Sequence, residues 1–179
     1  MDRSLLAKRA LITEMQKHVF LTLEAQEYLL GHLVVRHLTN GRILSLYDGS
    51  HFFVGHGVLK NENAESLDIA HFLFENDFGI VSMLDPDYDF VALEPTMLLV
   101  LAREDLDYML VRSRDLLTAY HKLLAYWAKQ RNDRAKLLLL PAAERKSLLI
   151  KRWGTRTNRI SNKDLASYLG INVSYYSTI

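Results

Sequence analysis

The sequence predicts an α+β chain: an N-terminal antiparallel β-sandwich or barrel entered through helices, then a long helix, then a C-terminal helical hairpin. Three observations carry this. Between His32 and Leu101 the chain is rich in β-branched and aromatic residues, broken by turn signals at roughly eight- to twelve-residue spacing. From Ser113 onward the apolar period returns to that of a helix. The last stretch, ISNKDLASYLGINVSYYSTI, reads as two short helices joined at a glycine.

The elements follow in order. Leu5, Leu6, Ala10, Leu11 and Met15 share one face of a helix over residues 3–18. Thr22 caps a second helix through Glu24, Glu27 and Leu30, closed by Gly31. Asn40-Gly41 signals a hairpin and Asp48-Gly49 a second turn. Phe52 to Val54 form a strand, and Gly55 and Gly57 suit a close crossing. Asn61 to Glu65 is a polar turn, Leu67 to Phe74 a strand, and Asn76-Asp77 a further turn. Asp85 to Asp89 is an acidic loop around Pro86. Phe90 to Leu93 and Met97 to Leu101 are the last strands, and Glu104 to Val111 is a short helix. Ser113 to Ala135 is a long one. Leu116, Tyr120, Leu123 and Trp127 recur on it at alternating spacings of four and three, a coiled-coil seam that Leu117 and Leu124 widen. Such a stripe can pack on its own barrel, pair with a partner helix, or do both. The spacing favours a partner, so a homodimer is expected with Leu116, Tyr120, Leu123, Leu124 and Trp127 at its interface. Pro141 opens a helix through Trp153, and Gly154 to Asn158 is a polar loop.

Composition narrows the function. Hydrophobic residues make up 49% of the chain, enough for a substantial core, and there is no cysteine, hence no disulfide framework, thiolate metal site or cysteine nucleophile. No stretch approaches twenty apolar residues, so a soluble cytoplasmic protein without membrane contact is expected. The net charge of +1 hides an asymmetry. Residues 1–110 hold 8 Lys+Arg against 17 Asp+Glu, a net of −9, and residues 111–179 hold 14 against 4, a net of +10. A basic tail on an acidic body suggests that the tail meets a polyanion such as double-stranded DNA. The alternatives are that the two halves attract each other, or that the acidic half confers solubility.

In the final stretch Ser161 serves as an N-cap with Asp164 three residues on, Leu165, Tyr168 and Leu169 follow at helical spacing, and Gly170 takes the left-handed position that ends the helix. Asn172 caps the next helix, which carries Tyr175, Tyr176 and Ile179, and small Ala166 sits where the two helices cross. This is the pattern of a helix-turn-helix, and also of an ordinary helical hairpin. Taken with what precedes it, the chain resembles the Crp/Fnr family of bacterial transcription regulators. HLTNGRILSLYDGSHFFVGHGVLK looks like the family's strand pair with a glycine turn. LEPTMLLVLAREDLDYML looks like its last strands and following helix, and LLLLPAAERKSLLIKRW with RISNKDLASYLGI looks like its helix-turn-helix domain. The resemblance implies a double-stranded β-helix (jelly-roll) sensor barrel of cyclic-nucleotide-binding type over residues 1–112. It implies a dimerisation helix over 113–136 and a winged-helix-type DNA-binding domain over 137–179.

In the family the barrel holds a cyclic nucleotide through a glutamate, an arginine and small residues with free N–H groups. Here the matching stretch is Phe78, Gly79, Ile80, Val81 and Ser82. Isoleucine replaces the glutamate, and there is no arginine between Arg42 and Arg103. The loop that should carry it holds Asp85, Asp87 and Asp89, which repel phosphate. The effector pocket is therefore expected to be degenerate and not to take cyclic AMP or cyclic GMP. The seven histidines are scattered, and neither a cofactor nor a metal is expected. A different small-molecule effector is compatible with the resemblance, as is RNA polymerase as a partner.

The resemblance places the second helix of the hairpin in the major groove, with Val173, Ser174, Ser177 and Thr178 at the base edges and Tyr175 against a thymine methyl or a phosphate. Ser174 and Thr178 stand where family members usually carry a glutamate and an arginine, which weakens direct readout. Tyr176 is expected in the core. Lys151, Arg152, Arg156, Arg159 and Lys163 supply phosphate contacts, with Arg145 and Lys146 on the same face or simply solvated, and Ser161 and Asn172 at the helix starts. The family pattern continues beyond Ile179, so the sequence is either incomplete or a shortened form; a shortened form is expected to bind DNA poorly. Three readings follow. The first is a dimeric DNA-binding regulator. The second is a sensor or interaction protein that has lost productive DNA binding. The third is a jelly-roll enzyme, for which no cluster of metal ligands and no nucleophile–base pair is visible.

Overall fold

The computed structural model describes residues 2–81 and 87–179. Ser82, proposed above for the effector pocket, and Asp85 of the acidic loop lie outside the described residues.

Two helices open the chain, α1 (Arg3–Gln16) and α2 (Leu23–His32). Asp2 accepts the N–H of Ser4 at 2.9 Å and Thr22 accepts that of Ala25 at 3.3 Å, so both N-caps have side-chain acceptors. α1 buries Ala7, Leu11, Ile12 and Met15, whereas Leu5 and Leu6 are exposed; the buried stripe is offset from the one expected. Gly31 does not close α2, which ends one residue later.

Seven strands follow: β1 (Val34–Leu38), β2 (His51–His56), β3 (Leu59–Asn63), β4 (Ile69–Leu73), β5 (Phe78–Ile80), β6 (Tyr88–Ala92) and β7 (Thr96–Leu101). They form two antiparallel sheets, β1-β7-β2-β5 and β4-β3-β6. The described strands thus make two antiparallel sheets, and closure of the two into a barrel is not shown among the described residues. Asn40-Gly41 is a turn, but not a hairpin between neighbouring strands. β1 pairs with β7, and after the turn Gly41 donates to Ala92 O at 2.7 Å and Leu44 to Phe90 O at 2.8 Å. The turn therefore carries the chain from one sheet to the other. Asn61 and Glu62, expected in a turn, lie in β3, where Asn61 is buried and its side chain donates to Asp89 O at 3.4 Å.

Strand alternation distributes the apolar side chains over two layers. Phe52 and Val54 of β2 and Leu98 and Val100 of β7 face the other sheet, meeting Leu59, Leu73 and Phe90. Phe53, Leu99 and Leu101 point the opposite way, onto the helices. All six residues of β7 are buried, as befits a central strand covered on both faces. Gly57, at φ +101°, sits against Thr96, and an added Cβ would lie 2.7 Å from Thr96 Cα. Gly57→Ala combines a positive φ with a backbone clash, so it is expected to lower stability by about 2 kcal/mol or more in urea unfolding.

α3 (Arg103–Arg112) leads into the long α4 (Arg114–Leu138), with Ser113 accepting the N–H of Leu116 at 3.3 Å. α4 runs past the expected end at 136, so residues 137 and 138 are helix and not linker. α5 (Ala142–Trp153) comes next, with Pro141 just outside it, at the N-cap. The segment Gly154 to Asn158, expected as loop, lies in a 3₁₀ helix, Gly154–Arg159. α6 (Asn162–Leu169) and α7 (Val173–Thr178) end the chain, and no strand of a wing follows them among the described residues. No helix among the described residues is long and apolar enough to cross a membrane.

α4 faces inward with Leu116, Ala119 and Leu123, all buried, and with half-buried Tyr120 and Trp127. Four of the five residues expected at a dimer interface therefore pack on the chain's own sheet. The fifth, Leu124, lies with Leu117 on the exposed side.

Candidate functional site

The terminal hairpin is built as its residues dictate. Ser161 accepts the N–H of Asp164 at 3.0 Å and donates its hydroxyl to the Asp164 carboxylate at 2.6 Å, closing the start of α6. Gly170 ends it in the left-handed region (φ 62°, ψ 41°), and Ile171 N–H bonds back to Ala166 O at 3.0 Å. Asn172 accepts the N–H of Ser174 at 2.8 Å and starts α7. Ala166 is fully buried at the helix crossing.

Leu165, Tyr168, Leu169 and Tyr176 join Leu149 and Trp153 in an apolar cluster that continues into Ile69, Phe72 and Phe74 of the β4 sheet. Trp153 is its hub, with ring centroids 5.6 Å from Phe72, 5.4 Å from Phe74 and 5.1 Å from Tyr168. The hairpin thus rests on the outside of the sandwich. Polar contacts pin the same face: Ile69 N–H donates to Ser167 Oγ at 3.2 Å, and Ser167 Oγ donates to Leu67 O at 3.3 Å.

α7 presents Val173, Ser174, Tyr175, Ser177 and Thr178 to solvent and Tyr176 to the core. The α7 residues expected to read DNA are all exposed, and Tyr176, expected in the core, is buried. Of the basic residues, Lys151, Arg152, Arg156 and Lys163 are exposed on this end of the molecule. Arg152 reaches Asp133 at 3.6 Å, and the Arg156 guanidinium lies 5.2 Å from the Phe74 ring centroid.

Three basic residues are committed elsewhere. Arg145 donates to Leu140 O at 2.6 Å and to Leu169 O at 2.8 Å, and Lys146 donates to Tyr176 O at 2.7 Å and Ile179 O at 2.6 Å, so both tie the domain together. Arg159, expected at phosphate, instead grips two carboxylates of the sandwich. Its guanidinium forks onto Glu75 at 2.6 and 2.8 Å and also bonds Glu94. Glu75 further accepts the N–H of Gly57 at 2.9 Å. Partial burial opposes ionisation of Glu75, yet Arg159 and Gly57 hold its pKa at about 2. A parallel contact joins Lys60 to Glu62 and to Asp164 of α6, the latter at 3.2 Å. Burial works against the Lys60 ammonium, but these carboxylates keep its pKa above the ordinary lysine value. Sequence reasoning missed Glu75, Glu94 and Lys60; the opposite charges of the two halves are a signal for Glu75 and Glu94, whereas Lys60, a cation of the acidic half that meets Asp164 of the basic half, runs against it.

Asp77 adds a pH response. Burial pushes its carboxyl up to about 6, even though it accepts the N–H of Phe74 at 2.8 Å. A folded-state pKa above the unfolded value means that ionised Asp77 destabilises the fold, and that this cost fades as pH falls from about 6 toward 4. Glu75 acts oppositely: its contribution is present above its unfolded pKa and is lost as pH falls from there toward 2. Asp77→Asn is therefore expected to be more stable than the parent at pH 7 by about 1–2 kcal/mol, with the difference vanishing near pH 4, in urea titrations across that range.

At the expected effector pocket, Phe78, Gly79 and Ile80 form β5 and Val81 follows it. An added Cβ at Gly79 would lie 2.7 Å from Phe52 ring carbons, so an aromatic ring fills the space beside this stretch.

No family model and no curated protein matches the chain. Solved structures do. FixK2 from Bradyrhizobium japonicum superposes with a TM-score of 0.71 at 16% identity, over 82% of this chain and 81% of that one. A CooA variant from Carboxydothermus hydrogenoformans gives 0.68 at 14% identity, over 91% and 84%. CLP from Xanthomonas campestris, described as a c-di-GMP responsive global regulator, gives 0.67 at 13% identity, over 88% and 89%. A transcriptional regulator from Eubacterium rectale described as of the Crp/Fnr family gives 0.66 at 14% identity, over 88% and 81%. The chain therefore has the fold of the Crp/Fnr regulators, nearly end to end.

Proposed function

We propose that this chain is a transcription regulator of the Crp/Fnr type, a homodimer that reads double-stranded DNA through α7 and is not an enzyme. The observation that carries this is the hairpin itself: Ser161, Gly170 and Asn172 set the ends of its helices, and α7 leaves Val173, Ser174, Tyr175, Ser177 and Thr178 exposed, in a C-terminal segment whose Lys151, Arg156 and Lys163 are exposed as well. The sensor unit over residues 1–112, the dimer helix over 113–136 and the DNA-binding unit over 137–179 are part of the same reading, as are RNA polymerase as a partner and a small-molecule effector. Cyclic nucleotides are not that effector, because Ile80 and the missing arginine leave the phosphate no cation. A second reading, an interaction protein without productive DNA binding, draws on Ser174 and Thr178 where a bidentate arginine would read guanine, and on the clamp that holds Arg159.

The test is binding of the protein to a random-sequence duplex library at several salt concentrations. Enrichment of a palindrome with half-sites about one helical turn apart, with a steep salt slope, is the expected result. Weak, sequence-independent binding would establish the second reading instead.

A further inference from the structure

α4 and α5 meet at the turn over residues 139–141, and a groove of about 620 Å³ opens between them. Its floor is aliphatic: Leu137 and Leu140 come from α4, Leu148 and Leu149 from α5. Tyr168 of α6 completes it, backed by Trp153 at 5.1 Å between ring centroids. The lining residues farthest from the turn are Asp133 on α4 and Arg152 on α5, and their ion pair at 3.6 Å straps the two helices together.

The rim is cationic. Lys136 lines the groove from α4 and Lys151 from α5, and both are exposed. Arg152 is answered by Asp133, but no carboxylate among the described residues pairs with either lysine. Three cations against one carboxylate leave the lining at +2. Leu148 meanwhile leaves 44% of its surface to water. Apolar floor and cationic rim together match a molecule that is apolar along its body and anionic at one end. No side-chain amide and no serine or threonine hydroxyl lines the groove, so nothing there reads the polar edge of a base or a sugar. Four leucines suit a flexible alkyl chain better than a planar ring.

We propose that this groove binds a free medium-chain fatty-acid anion, its alkyl chain along the leucine floor and its carboxylate at Lys136 and Lys151. The volume falls within the range of small-molecule sites, about 300–1,000 Å³. The lining stretch of α4, residues 133–140, spans about 10 Å at the helical rise, which sets the chain at medium length. The site depends on no property of α7. Lys151 is also among the cations proposed above for DNA phosphate, so on that reading a bound carboxylate competes with DNA.

The experiment is calorimetric titration of the full chain with octanoate and decanoate below their micelle-forming concentrations, with 1-octanol as the uncharged control. The expected result is saturable binding of one decanoate per chain, about fourfold tighter than octanoate because each of the two added methylenes is partly covered. Replacing both Lys136→Gln and Lys151→Gln weakens decanoate at least about fivefold and leaves 1-octanol unchanged. Leu148→Gln alters a half-exposed side chain outside the core, and weakens both ligands. Binding that never saturates, a double-lysine variant with parental affinity for decanoate, or a Leu148→Gln variant with parental affinity for both ligands would overturn the proposal, the last by placing the ligand outside this groove. Decanoate binding that leaves affinity for the selected duplex unchanged keeps the site and refutes its competition with DNA.

Discussion

Replacing Glu75 and Glu94 together by glutamine is expected to strengthen DNA binding and steepen its salt dependence. Arg159 lies two residues before the N-cap of α6, where helix-turn-helix proteins meet the phosphate backbone. In this structure it faces the sandwich, held by two carboxylates, so DNA must compete with Glu75 and Glu94 for it. Glutamine keeps the size and hydrogen-bonding groups of glutamate but removes both charges, freeing the guanidinium and removing local repulsion of phosphate. One added phosphate contact raises the slope of log K against log salt by about 0.9, and about tenfold in affinity at low salt is the expected scale. Stability should fall by only about 1–2 kcal/mol, because the partners are each still about a quarter exposed and Trp153 keeps the hairpin docked. Fluorescence anisotropy on the selected duplex at several salt concentrations reads both quantities. An unchanged slope would mean that Arg159 never reaches DNA and that the pair is only scaffold. A fall in affinity would mean that the docked arrangement is the one that binds.

The sequence made some of this legible because local chemistry decides it. Ser161, Gly170, Asn172 and Thr22 act at helix ends through their own side chain or backbone, so their positions are enough. Tyr176, expected in the core from the resemblance, is buried there. What was not legible depends on partners far away in the chain. Arg159 looks like a phosphate contact until Glu75 and Glu94, 84 and 65 residues earlier, are placed beside it. Arg145 and Lys146 look solvated until the carbonyls they cap come into reach. Asn40-Gly41 is a true turn signal, but a turn alone does not say which strands it joins. The charge asymmetry was ambiguous in a physical sense, since a basic tail attracts its own acidic body as well as DNA. Arg159, held by Glu75 and Glu94, shows the first of these attractions in the folded chain.

The largest effect expected from a surface change is on assembly. The seam spacing of α4 was correct for a buried stripe, but two adjacent rows satisfy it. Leu116, Leu123 and Trp127 are used up against the sheet. Leu117, His121, Leu124 and Ala128 form the neighbouring row, again at spacings of four, three and four, and that row is open to solvent. A homodimer would therefore be sealed by Leu124, which was expected there, and by Leu117, each 36% exposed, and not by Leu116, Tyr120, Leu123 and Trp127. The double substitution Leu117→Glu, Leu124→Glu places four carboxylates across a two-fold seam while touching no core contact. It should yield a folded monomer by sedimentation velocity, with a melting temperature near that of the dissociated parent. Losing the second, tethered half-site contact lowers affinity for a palindromic duplex by about 10²–10⁴-fold. Leu123→Glu makes the opposite test. Leu123 is 6% exposed, so a charge there should unfold the chain or cost more than about 3 kcal/mol, whatever the oligomeric state. If the double variant remains dimeric, the partner surface lies off α4. If it unfolds, the outer row is packed more tightly than its exposure indicates, and α4 has no free face to offer.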